Sequence, residues 1–123
     1  MKKRLNMEGK TLVDLYHALN KGSLTSEALV SYYLKEIEVH EEKVNALADL
    51  NHLALLEAKA LDEERKVSGP RSMLHGIPIL VKDNILTSDH LRTTANAQVF
   101  KDFYAPYEGK MIQQLREAGA IIL

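Results

Sequence analysis

The sequence predicts an α/β protein in which amino-terminal helices pack on a small, incomplete and mostly parallel sheet. The run Ile77–Val81 is apolar and rich in β-branched residues, which suits a strand buried on both faces. A second apolar run, Ala120–Leu123, follows a segment with helical periodicity. The order strand, long loop, helix, strand over residues 74–123 is that of a βαβ unit, whose crossover we expect to be right-handed.

Length and composition predict one partial domain. A chain of 123 residues suffices for one domain and is too short for two of ordinary size. We assign a helical part to residues 1–68 and a strand–loop–helix–strand part to residues 74–123. The helices of the first part can cover the sheet that the second part forms.

Two helices are predicted before residue 45. Thr11 and Asp14 outline a capping box for the first helix, and Gly22 is a suitable stop. The second helix is expected to begin at Thr25 or Ser26. The stripe that we expect it to bury consists of Leu29, Tyr33, Ile37 and, offset from these, Val30 and Leu34.

A third helix is predicted after a short apolar link. The link, Asn45–Leu50, could form a brief strand, and Asn51 is expected to cap a helix that continues through Lys66. Ser68–Pro70 contains the residues that end helices. The positions of this helix that we expect to face inward are Leu53, Leu56, Ala60 and Leu61.

The second half of the chain is dominated by a long segment without clean periodicity, residues 85–107. A loop of this length inside a compact domain is often functional. Ala95–Phe100 is predicted to form a short helix within it, and Gly109–Ala118 a longer one. We expect the final strand to leave Ile121–Ile122 as an exposed sheet edge, which invites pairing with another chain.

Composition excludes several classes of function. The chain is 46% hydrophobic and 27% charged, with a formal net charge of −1, so it is globular and has no basic excess for nucleic acid. No stretch approaches the length of a membrane span, and we predict a cytoplasmic protein. There is no cysteine, and the five histidines lack metal-ligand spacing. We therefore predict no metal and no cofactor.

Lys82 is the candidate functional residue, and two interpretations of it are open. Open α/β sheets bind ligands beyond the carboxyl ends of their strands, and Lys82, Asp83 and Asn84 follow the predicted strand directly. One interpretation is a polar turn that closes the strand. The other is a working amine, because a lysine in an apolar pocket is more easily neutral and can then activate a hydroxyl nucleophile.

The nucleophile that such a lysine would serve is not evident. None of the six serines lies in a glycine-rich context, and the sequence contains no G-x-S-x-G pattern. Thr87 and Ser88 follow the strand closely enough to approach Lys82. For both, hydrogen bonding within the loop is the better-supported role.

The central stretch resembles the amidase signature family, which includes amide hydrolases and the A subunit of the glutamyl-tRNA(Gln) amidotransferase. The stretch is Leu74-His-Gly-Ile-Pro-Ile-Leu-Val-Lys-Asp-Asn-Ile85, and Thr87 matches the last position of the pattern L-x-G-I-P-x-x-V-K-D-N-I-x-T. The resemblance covers nearly the whole chain and implies a truncated amidase-signature fold. Further similarity lies in the opening helices, in Thr93–Ala95 and in Leu115–Ile122.

The resemblance implies a serine–serine–lysine triad that cleaves carboxamide C–N bonds, with Lys82 as its lysine. The lysine takes a proton from the nucleophilic serine through a middle serine. The supporting active-site loop is implied to contain Asp83, Asn84, Thr87 and Thr94.

The Gly-Gly-Ser-Ser-Gly-Gly segment of the family, which carries the middle serine and the oxyanion donors, is expected beyond Leu123. The chain thus resembles the amino-terminal quarter of an amidase and is predicted to be inactive alone. A small-molecule amide is the expected substrate only if a missing segment completes the site. The alternatives are an interaction or regulatory module that pairs its unfinished sheet with itself or a complementing chain, and a frameshift or cloning product without its own role.

Overall fold

The computed structural model describes residues 5–88 and 90–123 and confirms the α/β fold class. The basic start, Met1–Arg4, and Asp89 of the predicted loop lie outside the described residues. The elements are, in chain order, α1 (Leu12–Asn20), α2 (Ser26–Val44), α3 (Ala54–Ser68), β1 (Pro78–Ile79), a 3₁₀ helix (Gln98–Phe100), α4 (Lys110–Glu117) and β2 (Ile121–Ile122).

The two strands pair in parallel, as predicted for a βαβ unit. Pro78 lies opposite Ile121, and Ile79 lies opposite Ile122. The Ile121 N–H donates to the Ile77 carbonyl at 3.0 Å, and the Leu123 N–H donates to the Ile79 carbonyl at the same distance. Pro78 is tolerated because it has no N–H to donate and the ladder is carried by the residues on either side of it.

Helices cover both faces of the sheet. Ile121 and Leu123 pack with α2 and α3, whereas Ile122 packs on the opposite side with Ile112 of α4. This alternation follows from the period of two along a strand. Ile77 joins α1 and α2 in a further apolar cluster, so the strand that precedes Lys82 is anchored by the amino-terminal helices.

The predicted burial of Ile77–Val81 on both faces is wrong. Only Pro78–Ile79 form a strand, and exposure rises along the run from 3% at Ile77 to 58% at Leu80. The reason is that the described chain places nothing over Leu80. The predicted exposed edge at Ile121–Ile122 is also wrong, since both residues are buried.

The second strand is protected by Asn51. Its side-chain amide donates to the Ile122 carbonyl at 2.7 Å, and its backbone N–H donates to the Leu123 carbonyl. Asn51 also accepts a hydrogen bond from the Leu53 N–H, but α3 begins only at Ala54 and has no side-chain cap. Asn51 therefore binds the edge of β2 and does not cap α3 as predicted.

Helix α3 buries Leu61 as predicted, but the rest of its buried face differs from the predicted one. Ala54, Ala58 and Leu61 are buried, while Leu53 and Leu56 are exposed. Small side chains let α3 approach α2 closely, and the i, i+4, i+7 spacing of the buried set is that of one helical face. The end of the helix is as predicted, because Gly69 forms its C-cap.

The amino termini of α1 and α2 confirm the local predictions. Thr11 and Asp14 form the capping box on α1, and the Thr25 side chain caps α2. Helix α2 has a second anchor that no local pattern indicates. The Asp62 carboxylate of α3 accepts hydrogen bonds from the Ser26 and Glu27 N–H groups at 2.8 and 2.9 Å, which fixes α3 against the start of α2.

Two other local predictions fail. The link Asn45–Leu50 is not a strand, because Asn45 adopts a left-handed conformation (φ 49°) as the C-cap of α2 and redirects the chain. The predicted helix Ala95–Phe100 shrinks to its last three residues, since Ala95 and Asn96 have positive φ values of 49° and 55°. Among the described residues, no helix is long and apolar enough to cross a membrane.

Candidate active site

A cleft of about 480 Å³ lies at the carboxyl ends of both strands, where open α/β sheets bind ligands. Val81 and Lys82 reach it from β1, and Ile122 and Leu123 reach it from β2. The remaining walls come from the link after α2 and from the long loop. The polar residues among those that line the cleft are Asn45, Asp49, Lys82, Asp83, Thr87, Arg92 and Asn96.

Lys82 lies at this cleft but its side chain is exposed. The apolar surroundings expected around Lys82 are therefore not formed by the described chain. The physical reason is that the cleft is walled by the link, the strand ends and the loop, and no described element covers its open side. The structure thus confirms the position of Lys82 at the strand end without enclosing its amine.

Asp83 and Thr94 are brought together as one hydrogen-bonded unit. The Asp83 carboxylate accepts from the Thr94 N–H at 2.8 Å and from the Thr94 hydroxyl, and the Asp83 carbonyl accepts from the Ala95 N–H at 2.9 Å. These bonds hold the left-handed pair Ala95 and Asn96 in place, and Asn96 lines the same cleft as Lys82. Asp83, the residue after Lys82, therefore anchors the part of the long loop that begins at Thr94.

Thr87 is buried and pairs with Thr93. The Thr87 N–H donates to the Thr93 hydroxyl at 3.2 Å, and the two hydroxyl oxygens are 3.3 Å apart. Thr87 lines the same cleft as Lys82, while Asn84 is exposed and does not line it. Of the predicted loop residues, the structure groups Asp83 with Thr94 and places Thr87 in a separate hydrogen-bonded pair.

An ion pair on the cleft wall was not among the predicted site residues. The Asp49 carboxylate accepts from the backbone N–H of Arg92 at 3.0 Å and from its guanidinium at 3.1 Å. The same guanidinium donates to the carbonyls of Ala48 and Lys101. Arg92 therefore ties the link after α2 to two points of the long loop. The two partners are 43 positions apart, so no short motif could have revealed the pair.

Residues 28–123 match the family described as Amidase. The chain belongs to the amidase signature family. It is 36% identical over 114 residues to the A subunit of the glutamyl-tRNA(Gln) amidotransferase of Natranaerobius thermophilus, a match that covers 92% of this chain and 23% of the relative.

Solved structures of amidases share the fold over almost the whole chain. The native peptide amidase from Stenotrophomonas maltophilia superposes with a TM-score of 0.89 at 33% identity, over 95% of this chain and 24% of that one. An amidase family protein from Bacillus anthracis gives a TM-score of 0.88, also at 33% identity, over 99% of this chain and 26% of that one. The chain spans about a quarter of the length of these relatives.

Within this amidase-signature chain, the turn that leads into β1 has a packing role. His75 is fully buried, and its Nδ1 accepts from the Arg71 N–H at 3.1 Å. Because a backbone N–H can only donate, the His75 proton lies on Nε2, which donates to the Leu61 carbonyl at 2.8 Å. The histidine thus joins α3 to the turn that starts β1.

The Asp49–Arg92 pair gives this amidase-signature chain a pH-dependent contribution to stability. Burial alone would raise the pKa of Asp49, but hydrogen bonds from the Arg92 N–H, the Arg92 guanidinium and the Leu50 N–H outweigh burial and lower that pKa. A folded pKa below the unfolded one gives stability that is complete above the unfolded pKa and is lost as the pH falls through the folded pKa.

We therefore expect Asp49→Asn to unfold at lower denaturant concentration than the parent at pH 7, with the difference shrinking as the pH falls from about 5 to below the lowered pKa of Asp49. Urea unfolding followed by circular dichroism across this range measures the effect. Asp102→Asn is the matched control, because the Asp102 side chain is 79% exposed. A difference that stays constant down to the lowest pH would contradict the assignment.

Proposed function

We propose that this chain carries the base of an amide hydrolase, with Lys82 as the lysine of a serine–serine–lysine triad. The observation that supports this most directly is the position of Lys82, which follows the paired strand β1 at a cleft on the carboxyl side of the sheet. Lys82 also lies within the long amidase-signature pattern, and the chain belongs to that family. The amidase relatives make carboxamides the proposed substrate class.

The proposed chemistry begins with a neutral Lys82 amine. It accepts a proton from a middle serine, which takes one in turn from the nucleophilic serine as that oxygen attacks the amide carbon. The C–N bond breaks, the nitrogen leaves with the proton returned by Lys82, and an acyl-enzyme forms. Water or ammonia then releases the acyl group. The 123 residues contain no glycine-rich serine segment that could supply both serines and the oxyanion donors.

Enclosure of the lysine is a further requirement of this proposal. Lys82 is exposed to water in the 123-residue chain. The complementing part of an amidase would cover the open side of the cleft and remove water from the amine. Asp83 and Thr94 would then hold the adjacent loop, and Thr87 would line the cleft.

The cytoplasmic location stays a prediction from the sequence.

The isolated chain is expected to release no ammonia from small carboxamides or peptide amides. Without a nucleophile and oxyanion donors, little beyond substrate binding survives in a site of this kind. A coupled ammonia assay on the purified chain measures this, with Lys82→Ala as the matched control. Turnover by the parent that disappears in Lys82→Ala would show that the chain is a complete catalyst and would contradict the proposal.

A further inference from the structure

Two consecutive residues of the long loop hold a backbone conformation that is rare outside glycine. Ala95 and Asn96 have φ values of 49° and 55°. Asparagine tolerates the left-handed region, whereas alanine is strained there because its Cβ comes close to a carbonyl oxygen. The turn is therefore not explained by the preference of Ala95 and must be held by its surroundings.

Hydrogen bonds to Asp83 and Thr94 hold this turn. The Thr94 N–H donates to the Asp83 carboxylate at 2.8 Å, and the Ala95 N–H donates to the Asp83 carbonyl. The Asn96 N–H donates to the Thr94 hydroxyl at 3.2 Å, and the Ala97 N–H donates to the Thr94 carbonyl. Strain that is maintained by surrounding bonds in this way is common at ligand-binding sites.

Asn96 lies at the junction of two cavities. It lines the cleft of Lys82 and also a smaller cavity of about 170 Å³, which we call the side pocket. Ala95, the other left-handed residue, lines neither cavity. The polar residues that line the side pocket are Arg92, Thr94, Asn96, Gln98 and Lys101.

The charges of the side pocket are already paired. The Arg92 guanidinium is bound by the Asp49 carboxylate and by two backbone carbonyls. The Lys101 ammonium lies 3.8 Å from the Asp102 carboxylate. The side pocket therefore favours a neutral polar ligand over an anion.

Two carboxamide side chains of the side pocket have hydrogen-bonding capacity to spare. Among the described residues, the Asn96 carboxamide has no hydrogen-bond partner, although its backbone N–H is bonded, and the Gln98 carboxamide has none either. A carboxamide carries both donors and an acceptor. A peptide group has the same combination of donor and acceptor, so it is the neutral group that these side chains match.

We propose that Asn96 is a specificity-determining residue that hydrogen-bonds a second peptide group of a carboxamide substrate, at the point where the cleft opens into the side pocket. The substrate class is then a peptide-like amide and not a simple alkyl amide. This inference rests on the function proposed above, because the cleft is the one at which Lys82 would act. The competing explanation is that asparagine is present only because it suits a left-handed turn.

Two ligands that differ only in the peptide group test the proposal. N-acetylalaninamide has a peptide group beside its carboxamide, and α-methylvaleramide is the isostere with two methylenes in that place. Each is titrated into the isotope-labelled 123-residue chain and followed by NMR. We expect N-acetylalaninamide to bind about fivefold more tightly, the effect of one net hydrogen bond, and to shift the side-chain NH₂ signal of Asn96.

Variants with matched backbone preferences separate specificity from turn geometry. Asn96→Asp keeps the size and the tolerance of a left-handed conformation but loses the donor. It should bind N-acetylalaninamide about fivefold more weakly and unfold at the urea concentration of the parent. Asn96→Gly, which suits the turn and removes the side chain, should show the same loss of binding. Ala95→Gly is the control, because it relieves strain at a residue outside both cavities and should bind like the parent.

The outcomes distinguish this proposal from the catalytic one. Lys82→Ala should bind N-acetylalaninamide like the parent, so failure of the catalytic proposal would leave the result unchanged. No binding by the parent, equal binding of the two ligands, or undiminished binding by Asn96→Asp would each overturn the role of Asn96. Weaker binding in Asn96→Asp that Asn96→Gly does not share would assign the effect to the added charge and would also overturn it.

Discussion

Lys82→Ala is expected to lower amide hydrolysis by about 10³-fold or more in an enzyme that contains this chain, as removal of one member of a catalytic triad does. The test uses a chimera in which this chain replaces the matching quarter of the Stenotrophomonas maltophilia peptide amidase, whose fold it shares at a TM-score of 0.89. Ammonia release from a peptide amide gives kcat and KM for each variant. The loss should lie in kcat, because the proton transfer occurs during bond formation and not during binding.

Lys82→Arg separates a base from a fixed positive charge. Arginine keeps the charge and cannot lose its proton in a protein, so it cannot accept the serine proton. We expect Lys82→Arg to be as inactive as Lys82→Ala. The control is Lys66→Ala, because Lys66 is 68% exposed and pairs with Glu63 on the surface of α3. Recovery of activity in Lys82→Arg would assign Lys82 to charge stabilisation, and full activity in Lys82→Ala would remove it from the mechanism.

Local signals predict the parts of the fold that depend on neighbouring residues. The capping box of Thr11 and Asp14 lies within four positions and is present as predicted. The start of α2 at Ser26 follows from the oxygen of Thr25. The parallel pairing of the two strands follows from the helix between them, because a short turn cannot connect parallel strands.

Features that depend on distant residues are not predictable in this way. The position of Asn51 in the sequence predicts a helix cap, but the carbonyl of Ile122 lies 71 positions away and takes its side chain. Arg92 reaches Asp49 across 43 positions. The exposure of Leu80 and Lys82 has the same origin, because an apolar strand is buried only if other elements cover it, and its own sequence does not say which elements are present.

The family pattern illustrates both sides of this distinction. It includes both residues of β1, and its Asp83 meets Thr94 as one hydrogen-bonded unit. The pattern does not separate residues that do chemistry from residues that hold the turn. Gly76 belongs to the second group, and its role follows from the space around it.

Gly76→Ala is expected to destabilise the chain by about 3 kcal/mol or more, the sum of a left-handed backbone penalty and an overpacking penalty. Gly76 has φ of +79°, and a Cβ placed there would lie 1.8 Å from the Ser26 Oγ and 2.9 Å from its Cβ. Neither Ser26 nor Gly76 can move away easily. The Ser26 N–H donates to the Asp62 carboxylate, and the Gly76 N–H donates to the Gly119 carbonyl at 2.8 Å. Urea unfolding at pH 7 measures the loss.

Gly22→Ala isolates the backbone part of this loss. Gly22 has φ of +71°, but a Cβ there meets nothing within 4 Å, so its replacement should cost only about 1 kcal/mol. Ser26→Gly isolates the steric part, since it removes both atoms that a Cβ at Gly76 would strike, and the Ser26 Oγ has no hydrogen-bond partner among the described residues. In a double-mutant cycle we expect Ser26→Gly to recover about 1 kcal/mol or more of the Gly76→Ala loss. Equal losses in Gly22→Ala and Gly76→Ala, with no coupling to Ser26, would show that the close approach of α2 to the turn before β1 does not constrain Gly76.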